Sequence, residues 1–173
     1  MRTNSWVFSI LFFLILSTFS SCKKNQTWEY SSIRNETPGH DFAKISYPPS
    51  NELDGIQFEI VRIGDAIHGY LSINHFEIPP HNENIDQASV LLISDNVKQS
   101  FITTRFQGGQ KLKLSEECLT ALIMTLKISP FIIIKTGHFT QKIDSGLFES
   151  YFELLQKKSS RYLPENLITF ELY

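Results

Sequence analysis

Alternating hydrophobic and polar positions in the first half of the chain predict a series of β-strands. Ile56, Phe58 and Ile60 alternate with polar or solvent-tolerant neighbours, which is the spacing of a strand with one buried face. The segment Ala66–Asn74 repeats this pattern, and Gly64–Asp65 between the two segments fits a type II′ turn. The two segments are therefore predicted to form a β-hairpin.

The same period of two recurs on both sides of this hairpin. Phe42–Tyr47 is predicted to be a strand that ends at two prolines. Ala88–Ser94 and Val97–Phe106 are predicted to pair across a turn at Asp95–Asn96, and Lys111–Leu114 follows as a short strand. The first two thirds of the chain therefore read as an antiparallel sheet.

After Ser115 the apolar residues take a helical spacing. Ser115 is a predicted N-cap because two glutamates occupy the positive first turn, and Ser129–Pro130 is the predicted end of the helix. A second helix is predicted to begin at Asp144 or Ser145. The predicted buried stripe of the first helix contains Cys118, Leu119, Leu122, Ile123 and Leu126, and that of the second contains Leu147, Phe148, Tyr151, Phe152 and Leu155.

Two more strands complete the prediction. Phe131–Ile134 is a continuous apolar run, predicted to be a strand buried on both faces that continues toward Ile143. Leu167–Tyr173 is predicted to be a last strand. Early hairpins and late helices predict an α+β fold, with an antiparallel sheet or partly open β-sandwich and two helices in the C-terminal half.

The N-terminus has the pattern of an export signal. Arg2 is the only charged side chain in residues 1–21, and it precedes an apolar stretch that runs from Trp6 to Leu16. Even when it is counted on to Phe19, the stretch has 14 residues, fewer than the roughly 20 that a membrane-spanning helix needs. Residues 1–21 are therefore predicted to be a signal peptide that is removed after export.

The residues that follow the apolar stretch identify the class of signal. Phe19-Ser20-Ser21-Cys22 resembles the lipobox of bacterial lipoproteins, in which small residues directly precede a cysteine. The bulky Phe19 stands where that class usually has a leucine-type residue. The resemblance implies that the thiol of Cys22 carries a diacylglycerol, that cleavage makes Cys22 the mature N-terminus, and that palmitate-type acyl chains anchor the protein.

This resemblance also sets the expected organisation and location. It implies a signal peptide at 1–21, a lipid-anchored tether at 22–39 and a single α+β domain at 40–173. Within the tether, Trp28 and Tyr30 are expected either to lie at the lipid interface or to dock on the domain. Lys23 and Lys24 after the cysteine favour the outer membrane, on its periplasmic or surface side. The alternative is an ordinary secretory signal, which would leave Cys22 free to pair with Cys118.

Composition narrows the function classes. The chain has 173 residues, with 16 basic and 18 acidic side chains and two cysteines, which suits one globular domain. A formal charge of −2 provides no surplus to neutralise phosphates, so no nucleic-acid partner is expected. No cofactor is predicted either. The expected partners are the lipid bilayer, through Cys22, and an envelope protein or cell-wall component.

His75, Glu77, His81 and Glu83 form the densest cluster of candidate metal or partner contacts. Residues 75 and 77 share a face if they lie on a strand, but Pro79 and Pro80 break the register before His81. No cysteine is near to complete a structural zinc site, so we expect no metal there. The polar loop Pro79–Gln87 and the face formed by His68, Tyr70, Ser72 and Asn74 are further candidate contact surfaces.

The residues suggest no catalytic constellation. Cys118 lies on the apolar stripe of the predicted helix and is expected to be a small buried hydrophobe rather than a nucleophile. We therefore expect a binding or assembly-accessory module rather than an enzyme. Two alternatives stay open, namely an envelope hydrolase with a dispersed site that includes His75, His81 and Glu83, and a carrier of an apolar ligand.

Overall fold

The framework of the protein is an antiparallel β-sheet. The computed structural model describes residues 26–33, 41–95 and 97–157, and within these residues the chain forms nine strands and two helices. In chain order they are β1 (Glu29–Ile33), β2 (Phe42–Tyr47), β3 (Gln57–Ile63), β4 (Ala66–Ser72), β5 (Gln87–Ser94), β6 (Val97–Arg105), β7 (Lys111–Lys113), α1 (Glu116–Ile128), β8 (Phe131–Thr136), β9 (Phe139–Asp144) and α2 (Phe148–Gln156).

The strands form a sheet in the order β1-β2-β3-β4-β7-β6-β5-β8-β9, and every neighbouring pair is antiparallel. The sheet is open, and the two helices follow late in the chain, so the predicted α+β class is confirmed. One hydrogen bond also connects the loop after β2 to β9, since Ser50 N–H donates to the side-chain Oε1 of Gln141 at 2.9 Å.

Both helices pack on the sheet over one hydrophobic core. Ser115 caps α1 as predicted, because its Oγ accepts a hydrogen bond from Cys118 N–H at 3.3 Å. Leu122 and Phe148 are fully buried members of the core. Helix α1 lies so close to β4 that a Cβ added at Gly69 would stand 2.7 Å from Leu119 Cδ1. Glycine at position 69 therefore permits this approach.

Two predicted hairpins are present. Strands β3 and β4 pair from Gln57↔Ser72 to Ile63↔Ala66, and Gly64 takes the positive φ of 59° that its turn requires. Strands β5 and β6 pair along their whole length, from Gln87↔Thr104 to Ser94↔Val97. Local patterning was sufficient for both hairpins because turn and strand signals are adjacent in sequence.

The region after α1 differs from the prediction. The chain turns back at Gly137, with φ of 56°, so β8 and β9 form a hairpin instead of one long strand. A side chain at Gly137 would also collide with the ring of Pro79. Strand β8 is fully buried on one face only, since Ile132 and Ile134 are buried while Ile133 is half-buried.

Helix α2 begins later than predicted. Asp144 is the last residue of β9, where it pairs with Phe131, and it is therefore unavailable as a helix cap. Its Oδ1 accepts a hydrogen bond from Gly146 N–H at 2.8 Å. The N-cap position is Leu147, which makes no capping side-chain hydrogen bond. Phe148, Phe152 and Leu155 are buried as expected, whereas Leu147 is 52% exposed.

The predicted tether is too long at its C-terminal side. Residues 29–33 form β1, which pairs with β2 from Glu29↔Ser46 to Ile33↔Phe42, and Trp28 is buried. Trp28 therefore docks on the domain, which begins well before residue 40. The predicted signal peptide 1–21, Cys22 and the predicted strand Leu167–Tyr173 lie outside the described residues. Neither described helix has the length and apolar character to span a bilayer.

Candidate functional site

The four candidate ligands lie along an exposed segment that connects β4 and β5. His75, Glu77 and Glu83 are exposed, and His81 is half-buried. His81 Nδ1 shares a 2.6 Å hydrogen bond with Ser89 Oγ on β5. Nowhere in residues 26–33, 41–95 and 97–157 do three His, Cys, Asp or Glu side chains group as metal ligands. The structure thus separates these residues instead of bringing them together.

Arg105, at the end of β6, holds the loop that contains these residues. Its Nε donates to Ile78 O at 2.7 Å, its Nη1 donates to Ile85 O at 3.1 Å, and its Nη2 lies 3.2 Å from Glu77 Oε2. The side chain of Arg105 is only 12% exposed. Sequence reasoning missed this residue, because its partners lie 20 to 28 positions away and no short-range pattern marks them.

On the sheet face that was predicted as a contact surface from His68, Tyr70, Ser72 and Asn74, the Tyr70 side chain contacts other residues of the protein. The Tyr70 ring stacks on Phe106 with centroids 6.4 Å apart, and Lys111 Nζ lies 4.6 Å from the Tyr70 centroid. Beside it, Glu59 accepts a hydrogen bond from Lys44 Nζ at 2.9 Å. Much of the polarity of this face therefore serves the sheet itself.

Cys118 is buried on the inner face of α1, as expected from its place on the apolar stripe. Desolvation by burial raises the pKa of the Cys118 thiol from 9.0 to about 12. The thiol is therefore protonated at neutral pH. A thiolate nucleophile needs the opposite, electropositive and partly exposed environment.

The outer side of α1 presents a different surface. Between α1 and the hairpin of β5 and β6 runs a groove, here called the α1–β6 groove, which comprises a cleft of about 180 Å³ near the end of α1 and an open cleft of about 560 Å³ along the helix. Its apolar rim is strongly exposed, with Val97 at 58%, Met124 at 64% and Ile128 at 84%. Met124 and Ile128 lie off the predicted buried stripe of α1, but sequence reasoning missed the groove because nothing local indicates that Val97 lies across from them.

One end of the groove is held by Asp95. Ser129 Oγ donates to Asp95 Oδ2 at 2.9 Å, which ties the turn after β5 to the end of α1. Asp95 has φ of 45°, a conformation that aspartate tolerates better than most residues. The groove therefore has a fixed end at the β5–β6 turn.

A second cleft lies where the chain enters the domain. This Trp28 cleft has a volume of about 440 Å³ and is lined by Gln26, Thr27, Trp28, Tyr47, Lys142, Asp144, Gly146 and Leu147. The indole Nε1 of Trp28 donates to Asp144 O at 2.7 Å, and Tyr47 Oη accepts from Asp144 N–H at 3.3 Å. The Trp28 ring also packs on Phe148, with centroids 4.9 Å apart.

Comparisons with protein-family models, with curated proteins and with solved structures found no match. Function is therefore inferred from the residues of this chain. Two surfaces are candidates for binding. The α1–β6 groove exposes apolar side chains, and the Trp28 cleft is lined by Trp28, which follows Cys22 by six residues in the sequence.

Proposed function

We propose that the protein is an envelope lipoprotein, anchored by acyl chains on Cys22, whose domain binds an envelope protein or cell-wall component. The observation that carries the proposal is Phe19-Ser20-Ser21-Cys22, which places two small residues directly before a cysteine at the end of an apolar stretch. Two or more acyl chains on Cys22 hold a protein stably on a bilayer, whereas one chain binds reversibly. Lys23 and Lys24 favour the outer membrane.

The α1–β6 groove supports a binding role. Met124 and Ile128 are more than half exposed on adjacent turns of α1, and Val97 is exposed across the groove. Contiguous exposed apolar side chains commonly mark sites of interaction with another protein. We therefore assign the protein partner to this groove and the bilayer to Cys22.

The alternatives have less support. His75, His81 and Glu83 lie along an exposed loop, where His81 bonds to Ser89, and this arrangement offers little to a hydrolase. The clefts described above are open to solvent, whereas a carrier of an apolar ligand needs an enclosing, mostly apolar pocket. Neither alternative uses the exposed rim of the α1–β6 groove.

Replacement of the two cysteines in turn tests the anchor. The wild-type protein should sediment with membranes, and its intact mass should lack residues 1–21 and include acyl groups. Cys22→Ala should move the protein to the soluble fraction. Cys118→Ala is the matched control, because it removes the other cysteine and should leave both the acyl mass and the membrane fractionation unchanged.

Two results would refute the proposed anchor. One is membrane fractionation of Cys22→Ala at the wild-type level. The other is a wild-type mass that retains residues 1–21 or shows an unmodified thiol at Cys22.

A further inference from the structure

The short covalent path from Cys22 to the domain limits where the bilayer can lie. Trp28 follows Cys22 by six residues, which span at most about 20 Å when fully extended. A compact domain of about 120 residues has a radius of gyration near 14 Å, which corresponds to a diameter of about 35 Å. The path is therefore too short to let the face that carries Trp28 turn away from a bilayer that holds Cys22.

The point of attachment is fixed to the domain. Trp28 is 4% exposed, its Nε1 donates to Asp144 O at 2.7 Å, and its ring makes edge contacts with Tyr47 and Phe58 at centroid distances of 5.2 and 5.9 Å. Directly after it, Glu29 pairs with Ser46. Since its ring and the residue after it are held, Trp28 is a fixed point from which the distance to Cys22 can be counted.

We infer that the domain lies directly on the bilayer, with the rim of the Trp28 cleft against the lipid. This inference rests on the proposed acylation of Cys22. It assigns the outer surface of the corner between β9 and α2 to contact with phospholipids. The chain length between Cys22 and Trp28, together with the fixed position of Trp28, is what selects a lipid surface as the occupant.

The chemistry of the rim suits the interface between headgroups and acyl chains. Leu147 is 52% exposed beside Gly146, so an aliphatic side chain projects without a bulky neighbour before it. Lys142 is exposed, and its Nζ lies 4.0 Å from the Phe131 centroid, so a cation accompanies an aromatic ring. A lysine ammonium pairs with lipid phosphate, and an aliphatic side chain enters the upper acyl region.

The rim also carries one exposed carboxylate, that of Asp144. Asp144 Oδ1 accepts a hydrogen bond from Gly146 N–H at 2.8 Å, which orients the group toward its own loop and leaves its negative charge in place, so the lipid contact relies on Leu147 and Lys142. Ser145 N–H donates to Pro130 O at 3.0 Å and joins the corner to the end of α1. The membrane-facing corner and the α1–β6 groove are thus neighbours, and a partner in the groove would itself lie close to the membrane.

Fluorescent labels on the acylated full-length protein test this orientation. Leu147→Cys and Thr27→Cys place a label on the rim, and Ala66→Cys is the control. Ala66 pairs with Ile63, about 17 Å along β3 from Phe58, the residue that contacts Trp28. The native cysteines do not compete for label, because Cys118 is buried and Cys22 carries the acyl group.

Each labelled protein is reconstituted into phosphatidylethanolamine and phosphatidylglycerol vesicles that contain a brominated phospholipid. Quenching should be about three-fold or more stronger at positions 27 and 147 than at 66, because an interfacial group lies within about 10 Å of the acyl boundary. Equal quenching at all three positions, in protein that floats with the vesicles, would overturn the inference and leave the anchor intact. Protein that does not float would overturn the proposed anchor instead.

Discussion

The Pro79–Gln87 loop and the α1–β6 groove are opposite in character. The loop is rich in polar residues whose types suggest catalysis or metal binding. Arg105, however, donates to the carbonyls of Ile85 within the loop and of Ile78 just before it, and Ser89 shares a hydrogen bond with His81. The groove contains ordinary apolar residues, and the fold leaves Met124 and Ile128 exposed. Polar residues that the fold uses for its own hydrogen bonds are therefore weaker indicators of function than apolar residues that it leaves uncovered.

The largest expected effect comes from Arg105. Arg105→Ala removes charge-assisted hydrogen bonds to Ile78 O and Ile85 O, which leaves those carbonyls without their donor and should lower the free energy of unfolding by about 3 kcal/mol. Urea denaturation measures the loss. Glu77→Ala is the matched control, because it deletes only the ion pair to a 73% exposed side chain and should cost less than about 0.5 kcal/mol.

Equal free energies of unfolding for Arg105→Ala and Glu77→Ala would contradict the contrast drawn between the Pro79–Gln87 loop and the α1–β6 groove. The loop would then be held by something other than Arg105, and its polar residues would again be candidates for a functional role.

The inner face of α1 provides a second, pH-dependent test. Burial raises the pKa of Cys118 to about 12, so the unfolded chain loses this proton near pH 9 while the folded protein keeps it. The stabilisation is complete below pH 9 and is lost as pH rises toward 12, by about 1.4 kcal/mol per pH unit. Urea denaturation of wild type and Cys118→Ala between pH 8 and about 11 measures the difference in slope.

Subtraction of the two series removes the contribution of lysines and tyrosines, which titrate in both proteins. Parallel stability curves would mean that the Cys118 thiol is open to solvent, and the contrast between the inner and outer faces of α1 would fail.

The smallest effect on stability is expected in the groove. Met124→Ser changes a 64% exposed side chain and should alter the free energy of unfolding by less than about 0.5 kcal/mol. It should nevertheless reduce partner crosslinking from a photoreactive residue at Val97 in intact cells about ten-fold, which corresponds to a loss of about 1.4 kcal/mol in binding. Leu53→Ser, at an equal 64% exposure elsewhere, is the matched control.

Crosslinking that falls equally in Met124→Ser and Leu53→Ser would exclude the groove as the contact surface. A large loss of stability in Met124→Ser alone would instead make Met124 part of the core.

Predictions from the sequence were confirmed where the residues that interact are close along the chain. The hairpin around Gly64–Asp65 follows from a turn flanked by alternating residues, and Ser115 caps α1 three residues from the N–H that it binds. The prediction at β8 and β9 was wrong because it continued the apolar run through Gly137, whereas Gly137, with φ of 56°, begins a two-residue turn between Thr136 and Phe139. The cap predicted at Asp144 was wrong because that residue pairs with Phe131.

The candidate site shows the same division. Cys118 was predicted to be buried from its helical spacing, and the structure agrees. The role of Arg105 and the position of Val97 opposite Ile128 had no local signal, since each depends on which distant segments pack nearby. Trp28 could be placed either at lipid or on the domain from its sequence, and its hydrogen bond to Asp144, 116 positions away, decides for the domain.

The sequence by itself determined the α+β class and the two central hairpins, because periodicity and turn residues express local backbone preference and burial on one face. Only the tertiary structure decided that Trp28 and β1 belong to the domain and that Arg105 donates hydrogen bonds to the segment between β4 and β5. It also decided that the apolar side chains of the α1–β6 groove are exposed. These features arise from contacts between residues far apart in sequence, and such contacts exist only once the sheet has assembled.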